Sequence, residues 1–277
     1  MNNIQFIKSY AKINLCLNII NKKKKLHKIQ SLFSLVSLHD KICAFPIKEK
    51  NHKIFFKGKF SKNIPRINTI QKTLKLLEKE GLLKKKLYVI VYKNIPQKSG
   101  LGGGSMNSAS LIKLLIKKKI VKINNDKLTN ISDKIGDDVK IGFKRNLMYL
   151  DNNKIFANFK KRLKYYLLLF MPKKGCSTRH VYSKVRSFSR PYENKKFIIK
   201  NLSKLKNDLE KIVINKYPEL KSPINFIKKA HGLEFLRMTG SGSCFVAYFK
   251  YNKDSISTLK KFKKKYPNYW SVLSKTV

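Results

Sequence analysis

Residues 96–109 of this chain read Pro-Gln-Lys-Ser-Gly-Leu-Gly-Gly-Gly-Ser-Met-Asn-Ser-Ala, with glycine at four of the five positions from 100 to 104. Residues 87–92, just before this stretch, combine β-branched and aromatic side chains and predict a strand. After the loop, apolar residues recur at helical spacing and predict a helix: Ala109, Ile112, Leu115 and Ile116. A glycine loop between a strand and a helix points backbone N–H groups and the positive end of the helix dipole at one place. The sequence therefore predicts a phosphate-binding loop.

The loop differs from two common phosphate-binding motifs. A Walker A loop ends in Gly-Lys-Ser or Gly-Lys-Thr, and neither follows these glycines. In a dinucleotide-binding fingerprint that begins at Gly100 and Gly102, Ser105 takes the place of the third glycine. A glycine-rich turn without a ligand is the alternative that this segment alone leaves open.

The chain is strongly basic, with 63 Lys and Arg residues against 15 Asp and Glu and a formal net charge of +48. Taken alone, this charge indicates a nucleic-acid-binding protein. The lysines are spread through every segment, however, and no RNP-like aromatic motif, zinc finger or recognition-helix signature accompanies them. A basic RNA- or DNA-binding protein therefore remains the non-enzymatic alternative, and the charge itself predicts only a general attraction for polyanions.

Cysteine spacing and hydropathy indicate the class of protein. The four cysteines are widely separated and show no Cys-x-x-Cys spacing, which favours reduced buried thiols over a zinc site or a disulfide framework: Cys16, Cys43, Cys176 and Cys244. No run approaches the roughly 18 apolar residues that span a bilayer. Lys8 and Lys12 interrupt the apolar positions where a signal peptide needs an unbroken run. These features predict a cytoplasmic protein.

Periodicity predicts alternating strands and helices along the whole chain, which indicates an α+β or α/β arrangement in two parts. The predicted strands lie at 4–20, 29–37, 41–47, 53–57, 87–92, 148–150, 154–159, 165–171, 244–249 and 270–273, with a hairpin turn at 151–153. The predicted helices lie at 68–80, from the glycine loop to about 120, and at 126–135, 201–214, 222–231 and 255–264.

Four further blocks accompany the glycine loop in a fixed order. They read Ala-Lys-Ile-Asn-Leu-Cys-Leu at 11–17, His-Lys-Ile-Gln-Ser-Leu-Phe at 27–33 with Leu-His-Asp at 38–40, Gly-Asp-Asp-Val at 136–139, and Arg-Met-Thr-Gly-Ser-Gly-Ser-Cys-Phe at 237–245. Together the five blocks resemble the GHMP kinase family, which includes galactokinase, homoserine kinase and mevalonate kinase. Because the blocks extend from residue 11 to residue 245, the resemblance covers most of the chain.

The resemblance implies the α+β, two-domain GHMP kinase fold. In that fold the N-terminal half is like ribosomal protein S5 domain 2 and the C-terminal half is ferredoxin-like. On this basis we expect an ATP-binding domain at 1–160 and a second GHMP kinase domain at 161–277.

The resemblance also implies an enzyme that uses ATP and Mg²⁺ to phosphorylate an alcohol. The triple glycine and His27 favour the 2-hydroxyl of 4-diphosphocytidyl-2-C-methyl-D-erythritol, a cytidylated polyol of non-mevalonate isoprenoid synthesis, as the acceptor. A homoserine or mevalonate type of GHMP kinase is the enzymatic alternative. The expected partner is this small molecule, without a specific nucleic acid or a membrane, and the expected state is a monomer or weak dimer.

Phosphoryl transfer needs cradled phosphates, neutralised charge and an aligned nucleophile, sometimes with a base. By resemblance, Asp138 takes the proton of the substrate hydroxyl, and Lys12 lies beside it and favours its ionised form. Asn14, His27 and Tyr182 correspond to substrate-binding positions, with Tyr182 stacking on the cytosine. The ATP-binding residues are those of the glycine loop: Pro96, Gln97, Lys98, Ser99, Gly100, Leu101, Gly102, Gly103, Gly104, Ser105 and Met106. The metal ligands are not assigned.

Each assignment has a simpler alternative. Lys12 is alternatively a surface lysine, Asp138 a helix-terminating aspartate, and Tyr182 a core aromatic.

The chain also departs from the family pattern at three places. Lys-Lys-Leu at 24–26 replaces Asp-Gly-Tyr, which removes one stacking aromatic, and Lys140 replaces a proline. Met106 replaces a serine, so Ser105 is the hydroxyl that remains at the start of the helix.

Overall fold

The computed structural model describes residues 5–23, 26–144, 147–151, 154–158, 163–173, 175–192 and 195–277. These residues form two compact units. The first unit contains residues 5–11, 38–96 and 102–144, and the second contains the remaining described residues, including 97–101 of the glycine loop. The expected domain boundary at 160–161 lies outside the described residues and stays a prediction.

Two long strands belong to both units: β1 (Ile7–Lys23) and β2 (Leu26–Ile47). In the first unit, the C-terminal part of β2 pairs antiparallel with β4 (Lys86–Tyr92). Strand β3 (Lys53–Lys57) pairs parallel with the other edge of β4. The helices of this unit are α1 (Thr69–Lys79), α2 (Gly103–Lys117), α3 (Asn125–Ile135) and a 3₁₀-helix at Val139–Phe143.

Helix α1 shows why the local predictions succeed in this unit. Its N-cap Asn68 accepts a hydrogen bond from the Gln71 backbone N–H at 3.1 Å. Its apolar face buries Ile70, Leu74 and Leu77 in the core of the unit, as the spacing predicts. Gly81, with φ of 68°, follows the helix in the left-handed region that glycine tolerates. The predicted helix at 68–80 is therefore confirmed.

The second unit contains two sets of strands. The N-terminal part of β2 pairs with β5 (Met148–Asp151), which pairs in turn with β6 (Lys154–Asn158). The second set is an antiparallel sheet in the order β10-β7-β9-β8, formed by Trp270–Lys275, Tyr166–Met171, Phe245–Phe249 and Leu233–Met238. The helices are α4 (Thr178–Ser183), α5 (Lys195–Lys200), α6 (Glu210–Lys216), α7 (Lys221–Lys228), α8 (Asn252–Lys265) and a 3₁₀-helix at Pro218–Leu220.

The α+β class is confirmed, with three local corrections. The predicted strands at 29–37 and 41–47 are one continuous strand, β2. The predicted helix at 201–214 is wrong over 201–209, since α6 begins only at Glu210. Strand β8 and helices α4 and α5 were not predicted. The turn of the predicted hairpin, at 152–153, lies outside the described residues.

Across the parts of the chain that the structure describes, no helix is both long enough and apolar enough to cross a membrane.

Candidate active site

The first half of the glycine loop, residues 97–101, is held by its carbonyl oxygens within the second unit. The Lys98 carbonyl accepts from Cys176 N at 3.0 Å, and the Ser99 carbonyl accepts from Cys244 N at 3.1 Å. The Leu101 carbonyl accepts from Lys12 N at 3.0 Å. Because three carbonyl groups are fixed on neighbouring backbone, main-chain contacts hold this segment at three successive places.

Glycine is required where this segment meets the second glycine-rich motif. Gly100 has φ of 78°, and a Cβ there would lie 2.1 Å from the Thr239 carbonyl oxygen. Gly240 has φ of 55°, and its Cβ would lie 2.8 Å from the Gly100 carbonyl oxygen. The two motifs therefore approach backbone to backbone, which only residues without a side chain allow.

The second half of the loop begins helix α2 in the first unit. Gly102, with φ of 68°, is the N-cap residue of α2, and it makes no side-chain hydrogen bond to the first turn of the helix. The Thr69 hydroxyl donates to the Gly104 carbonyl at 2.9 Å and holds the first turn of α2 against α1. A helix start without a side-chain cap leaves its first N–H groups available to an anion, with the positive end of the dipole behind them. The helix begins where the sequence predicts it, and phosphate binding by this loop stays a prediction.

Lys12 and Asn14 lie together on β1 in the second unit. The Lys12 side chain is only 4% exposed, so the surface-lysine alternative is wrong. Its Nζ donates to Asn14 Oδ1 at 2.8 Å and lies 5.1 Å from the centre of the Phe33 ring. Asn14 Nδ2 donates to Ser31 Oγ at 2.9 Å, which fixes the amide orientation. The strand thus presents a buried, oriented ammonium group.

Thr239 connects this pair to the glycine loop, a connection that the sequence did not predict. Its Oγ1 accepts a hydrogen bond from Asn14 N at 2.9 Å and donates one to the Gly100 carbonyl oxygen at 3.4 Å. Asn14 and Thr239 are 225 residues apart in sequence. Only the position of Thr239 within the quoted block at 237–245 pointed to it.

Asp138 lies in the first unit, directly before the 3₁₀-helix Val139–Phe143, and is half-buried. It follows α3, which ends at its C-cap Gly136, so the predicted position after a helix end is confirmed. A Cβ at Gly136 would lie 3.9 Å from Ser105 Oγ, which places the Ser105 hydroxyl beside this turn. Lys12 belongs to the second unit, and its expected position beside Asp138 stays a prediction.

His27 and Tyr182 are brought together in the second unit. Their ring centres are 5.2 Å apart at an interplanar angle of 43°, and both rings are half-buried. Burial, and then the charge of Lys22, lower the pKa of His27 below its usual 6.5, which favours a neutral imidazole. Tyr182 also packs against the core of this unit, so one part of its ring is a core aromatic, as the simpler alternative states. Two half-exposed rings are suited to stacking on a planar base.

A lysine-lined depression in the first unit lies away from these residues in sequence. Its volume is about 1130 Å³, and its lining includes six lysines and one carboxylate: Lys48, Lys50, Lys53, Lys84, Lys85, Lys86 and Glu49. None of the predicted site residues lines it.

Within the described ranges, no group of three or more His, Cys, Asp or Glu side chains is arranged to hold a metal ion.

Comparison with known proteins identifies similar sequences over nearly the whole chain. Residues 68–144 match the family model described as the GHMP kinases N terminal domain. The chain is 48% identical over 276 residues to a 4-diphosphocytidyl-2-C-methyl-D-erythritol kinase of Pelagibacter ubique (strain HTCC1062), covering 98% of each. It is 31% identical over 278 residues to the enzyme of that name from Wolbachia pipientis wMel, covering 95% of this chain and 96% of the relative.

Solved structures share the fold. A crystal structure of 4-(cytidine 5'-diphospho)-2C-methyl-D-erythritol kinase superposes with a TM-score of 0.80 at 21% identity, covering 99% of this chain and 100% of that one. A homoserine kinase from Cytophaga hutchinsonii ATCC 33406 superposes with a TM-score of 0.71 at 12% identity, covering 99% and 94%. At these identities the likeness shows the fold alone, and it confirms the expected GHMP kinase architecture.

Proposed function

The chain belongs to the 4-diphosphocytidyl-2-C-methyl-D-erythritol kinase family and is a phosphotransferase with an alcohol group as acceptor; we propose that Lys12, Asp138 and the glycine loop carry out this reaction on the 2-hydroxyl of the cytidylated polyol. The observation that supports these roles is the double use of Lys12. Its backbone N–H holds the glycine loop at Leu101, while its buried ammonium group is oriented by Asn14. One residue therefore links the phosphate loop to the polar groups of β1.

In the proposed reaction, the substrate hydroxyl oxygen forms a bond to the γ-phosphorus of ATP as the bond from that phosphorus to the bridging oxygen breaks. ADP leaves with the electron pair, and the hydroxyl proton passes to the Asp138 carboxylate. The Lys12 ammonium group offsets negative charge on the transferring phosphoryl group. The N–H groups at the start of α2 bind the phosphates.

We propose that Mg²⁺ accompanies ATP. The described residues fit a metal held largely by the nucleotide, because Mg²⁺ in kinases uses one or two protein ligands together with substrate phosphates and water. Ser105, whose hydroxyl lies beside the Gly136 turn, is the side chain we assign to the metal or its phosphates. When bound, the metal neutralises phosphate charge during transfer.

We propose that His27 and Tyr182 bind the cytosine end of the substrate. The tilted pair offers a neutral imidazole and a phenol ring, and stacking on an aromatic ring contributes about 1–3 kcal/mol per base. Asn14, oriented by Ser31 and Thr239, is assigned to the polyol end. Lys-Lys-Leu at 24–26 replaces the second stacking aromatic of the family, and residues 24 and 25 lie outside the described part of the chain.

Replacing Tyr182 with leucine is expected to raise the KM for the cytidylated polyol by about tenfold or more, since base stacking is lost. The KM for ATP is expected to stay unchanged. Steady-state kinetics with each substrate varied in turn measures both constants. Tyr269→Leu is the matched control, because Tyr269 is a half-buried tyrosine against the same core but is assigned no substrate. Equal effects in the two variants would show that Tyr182 acts only through packing.

The substrate is tested by measuring ADP release with the cytidylated polyol, homoserine and mevalonate side by side. We expect kcat/KM for the cytidylated polyol to exceed the other two by at least about a hundredfold. Mass spectrometry and ³¹P NMR of the product are expected to show a 2-phosphate. Faster turnover of homoserine or mevalonate would contradict the proposal. An absence of acceptor-dependent ADP release, combined with tight and salt-sensitive RNA binding, would favour the nucleic-acid alternative.

We further propose that the protein acts in the cytoplasm as a monomer or weak dimer. All four cysteines are free and buried, and burial raises the pKa of the Cys16 thiol to about 12. Thiols of this kind are suited to a reducing compartment, where disulfides are rare.

A further inference from the structure

Asp40 on β2 is a fully buried carboxylate surrounded by donors. It is 0% exposed and forms an ion pair with Lys93, which is itself 5% exposed. Oδ1 accepts from Asn94 N at 2.7 Å and from Ile95 N at 2.8 Å. Oδ2 accepts from Asn107 Nδ2 at 2.9 Å as well as from Lys93. An ionised carboxylate offers about four lone-pair positions, and four donors reach Asp40.

These donors lie on the two sides of the glycine loop. Asn94 and Ile95 follow β4 and come directly before Pro96, where the loop begins. Asn107 is on the first turns of α2, directly after Met106, where the loop ends. All of them belong to the first unit, so a single carboxylate is bonded to both ends of the loop.

Close packing strengthens this connection. A Cβ at Gly103 would lie 3.1 Å from Ile95 Cγ2 and 3.4 Å from Lys93 Nζ, so the start of α2 rests directly on the Asp40 cluster. The Lys93 backbone is also held by the neighbouring strand, since its N–H donates to the Lys57 carbonyl at 2.7 Å. A buried ion pair contributes little to stability relative to apolar side chains of the same size, but it fixes geometry.

We propose that Asp40 is a positioning residue for ATP: it fixes the two ends of the glycine loop relative to each other and so holds the N–H groups of α2 in place for the phosphates. This inference rests on the proposed ATP-binding role of the loop. It also gives a role to the Leu-His-Asp block at 38–40, for which the reaction itself has no use. A misplacement of about 1 Å in a positioning group is enough to cost a hundredfold in rate.

The test uses Asn107→Ala, which detaches α2 from Asp40 and leaves the ion pair with Lys93 intact. We expect the KM for ATP to rise by about tenfold or more, the effect of losing one hydrogen bond to a charged group, with the KM for the polyol unchanged. Ser108→Ala is the matched control, because Ser108 is an adjacent buried polar residue whose hydroxyl, among the residues that the structure describes, bonds within the helix to the Gly104 carbonyl at 3.3 Å. A purely structural role would instead lower the melting temperature and move both KM values together, which would overturn the proposal.

A second pair of variants separates positioning from folding. Asp40→Asn leaves Lys93 without its countercharge, so this variant is expected to lose stability. Combining it with Lys93→Met removes the buried charge, and the asparagine oxygen still accepts from Asn94 and Ile95. We expect the double variant to regain the melting temperature. Asn107 Oδ1 has no hydrogen-bond partner among the described residues, so a turned Asn107 amide accepts from the new amide nitrogen and keeps the bond to residue 40. Adding Asn107→Leu removes that bond without leaving a buried charge, and we expect the KM for ATP to rise in this triple variant. A wild-type KM for ATP in a stable triple variant would contradict the proposal.

Hydrogen exchange keeps this inference distinct from the proposed function. Amide exchange in the peptide covering residues 96–106 is expected to be faster in Asn107→Ala than in Ser108→Ala. If the wild-type protein releases no ADP with any acceptor, the proposed function fails and the exchange rates still decide the role of Asp40. If the wild type is active but the exchange rate and the KM for ATP of Asn107→Ala match those of Ser108→Ala, only the inference about Asp40 fails.

Discussion

Replacing Asp138 with asparagine is expected to lower kcat by about 10²–10⁴-fold, the range that one positioned general base contributes. The amide has the shape of the carboxylate but cannot take up the hydroxyl proton. The KM values for ATP and for the polyol are expected to change by less than about threefold, because an interaction made only in the transition state affects kcat alone. Single-turnover phosphoryl transfer, measured by rapid quench with labelled ATP, separates this chemical step from product release.

Asp137→Asn provides the matched control for this substitution. Asp137 is the exposed neighbour of Asp138 in the same turn after Gly136, and the same charge is removed. We expect its kcat to stay within about twofold of wild type, since exposed charges contribute little. Equal losses in the two variants would indicate a general electrostatic effect of the turn. Retention of more than about a tenth of kcat in Asp138→Asn would remove Asp138 from the role of base.

Features that depend on neighbours in sequence were predictable. The strand, glycine loop and helix around residues 96–109 follow from local propensity and glycine conformation, and β4 and α2 form where the pattern places them. The C-cap at Gly136 likewise fixed the position of Asp138 after α3. In each case the residues that determine the structure lie within a few positions of the structure they determine.

Features that depend on distant partners were not predictable. Separate strands were predicted at 29–37 and 41–47, yet β2 continues through the residues between them, where Asp40 is paired with Lys93, 53 residues away. The helix predicted at 201–209 is replaced by a segment whose side chains bind elsewhere. Asn207 Nδ2 donates to the Met238 and Gly240 carbonyls at 2.8 and 2.9 Å, and Asp208 accepts from Ile19 N. Tertiary hydrogen bonds outweigh helix propensity there.

In the candidate site, too, the sequence pointed to individual residues but not to the contacts between residues that are far apart in sequence. The residue types and their order were sufficient to select Lys12, Asn14, His27 and Tyr182 through the family resemblance. The link from Asn14 to Thr239 required the fold, because no local pattern specifies which distant hydroxyl meets a given strand. Among so many lysines, composition alone does not show that Lys12 and Lys93 are buried.

Replacing Gly100 with alanine is expected to lower kcat/KM for ATP by about a hundredfold, the cost of moving a binding group by about 1 Å. The substitution places a Cβ 2.1 Å from the Thr239 carbonyl oxygen and 3.1 Å from Gly242 N, so the loop has to move away from the second glycine-rich motif. A left-handed conformation also costs a residue other than glycine about 1–2 kcal/mol. Kinetics with ATP varied, and thermal unfolding, measure the two effects separately.

Gly81→Ala separates the close approach from the backbone conformation. Gly81 has φ of 68°, in the same left-handed region as Gly100, but a Cβ there meets no atom of the described chain within 4 Å. This control is expected to lose about 1 kcal/mol of unfolding free energy and to keep its kinetic constants, because only the conformational penalty applies. If Gly100→Ala changed kcat/KM for ATP no more than Gly81→Ala, contact between the two glycine motifs would not be what holds the loop for phosphate. A large kinetic loss in Gly100→Ala alone would assign that task to the backbone contact, since the two variants share the same strain and differ in the atoms that the new methyl group meets.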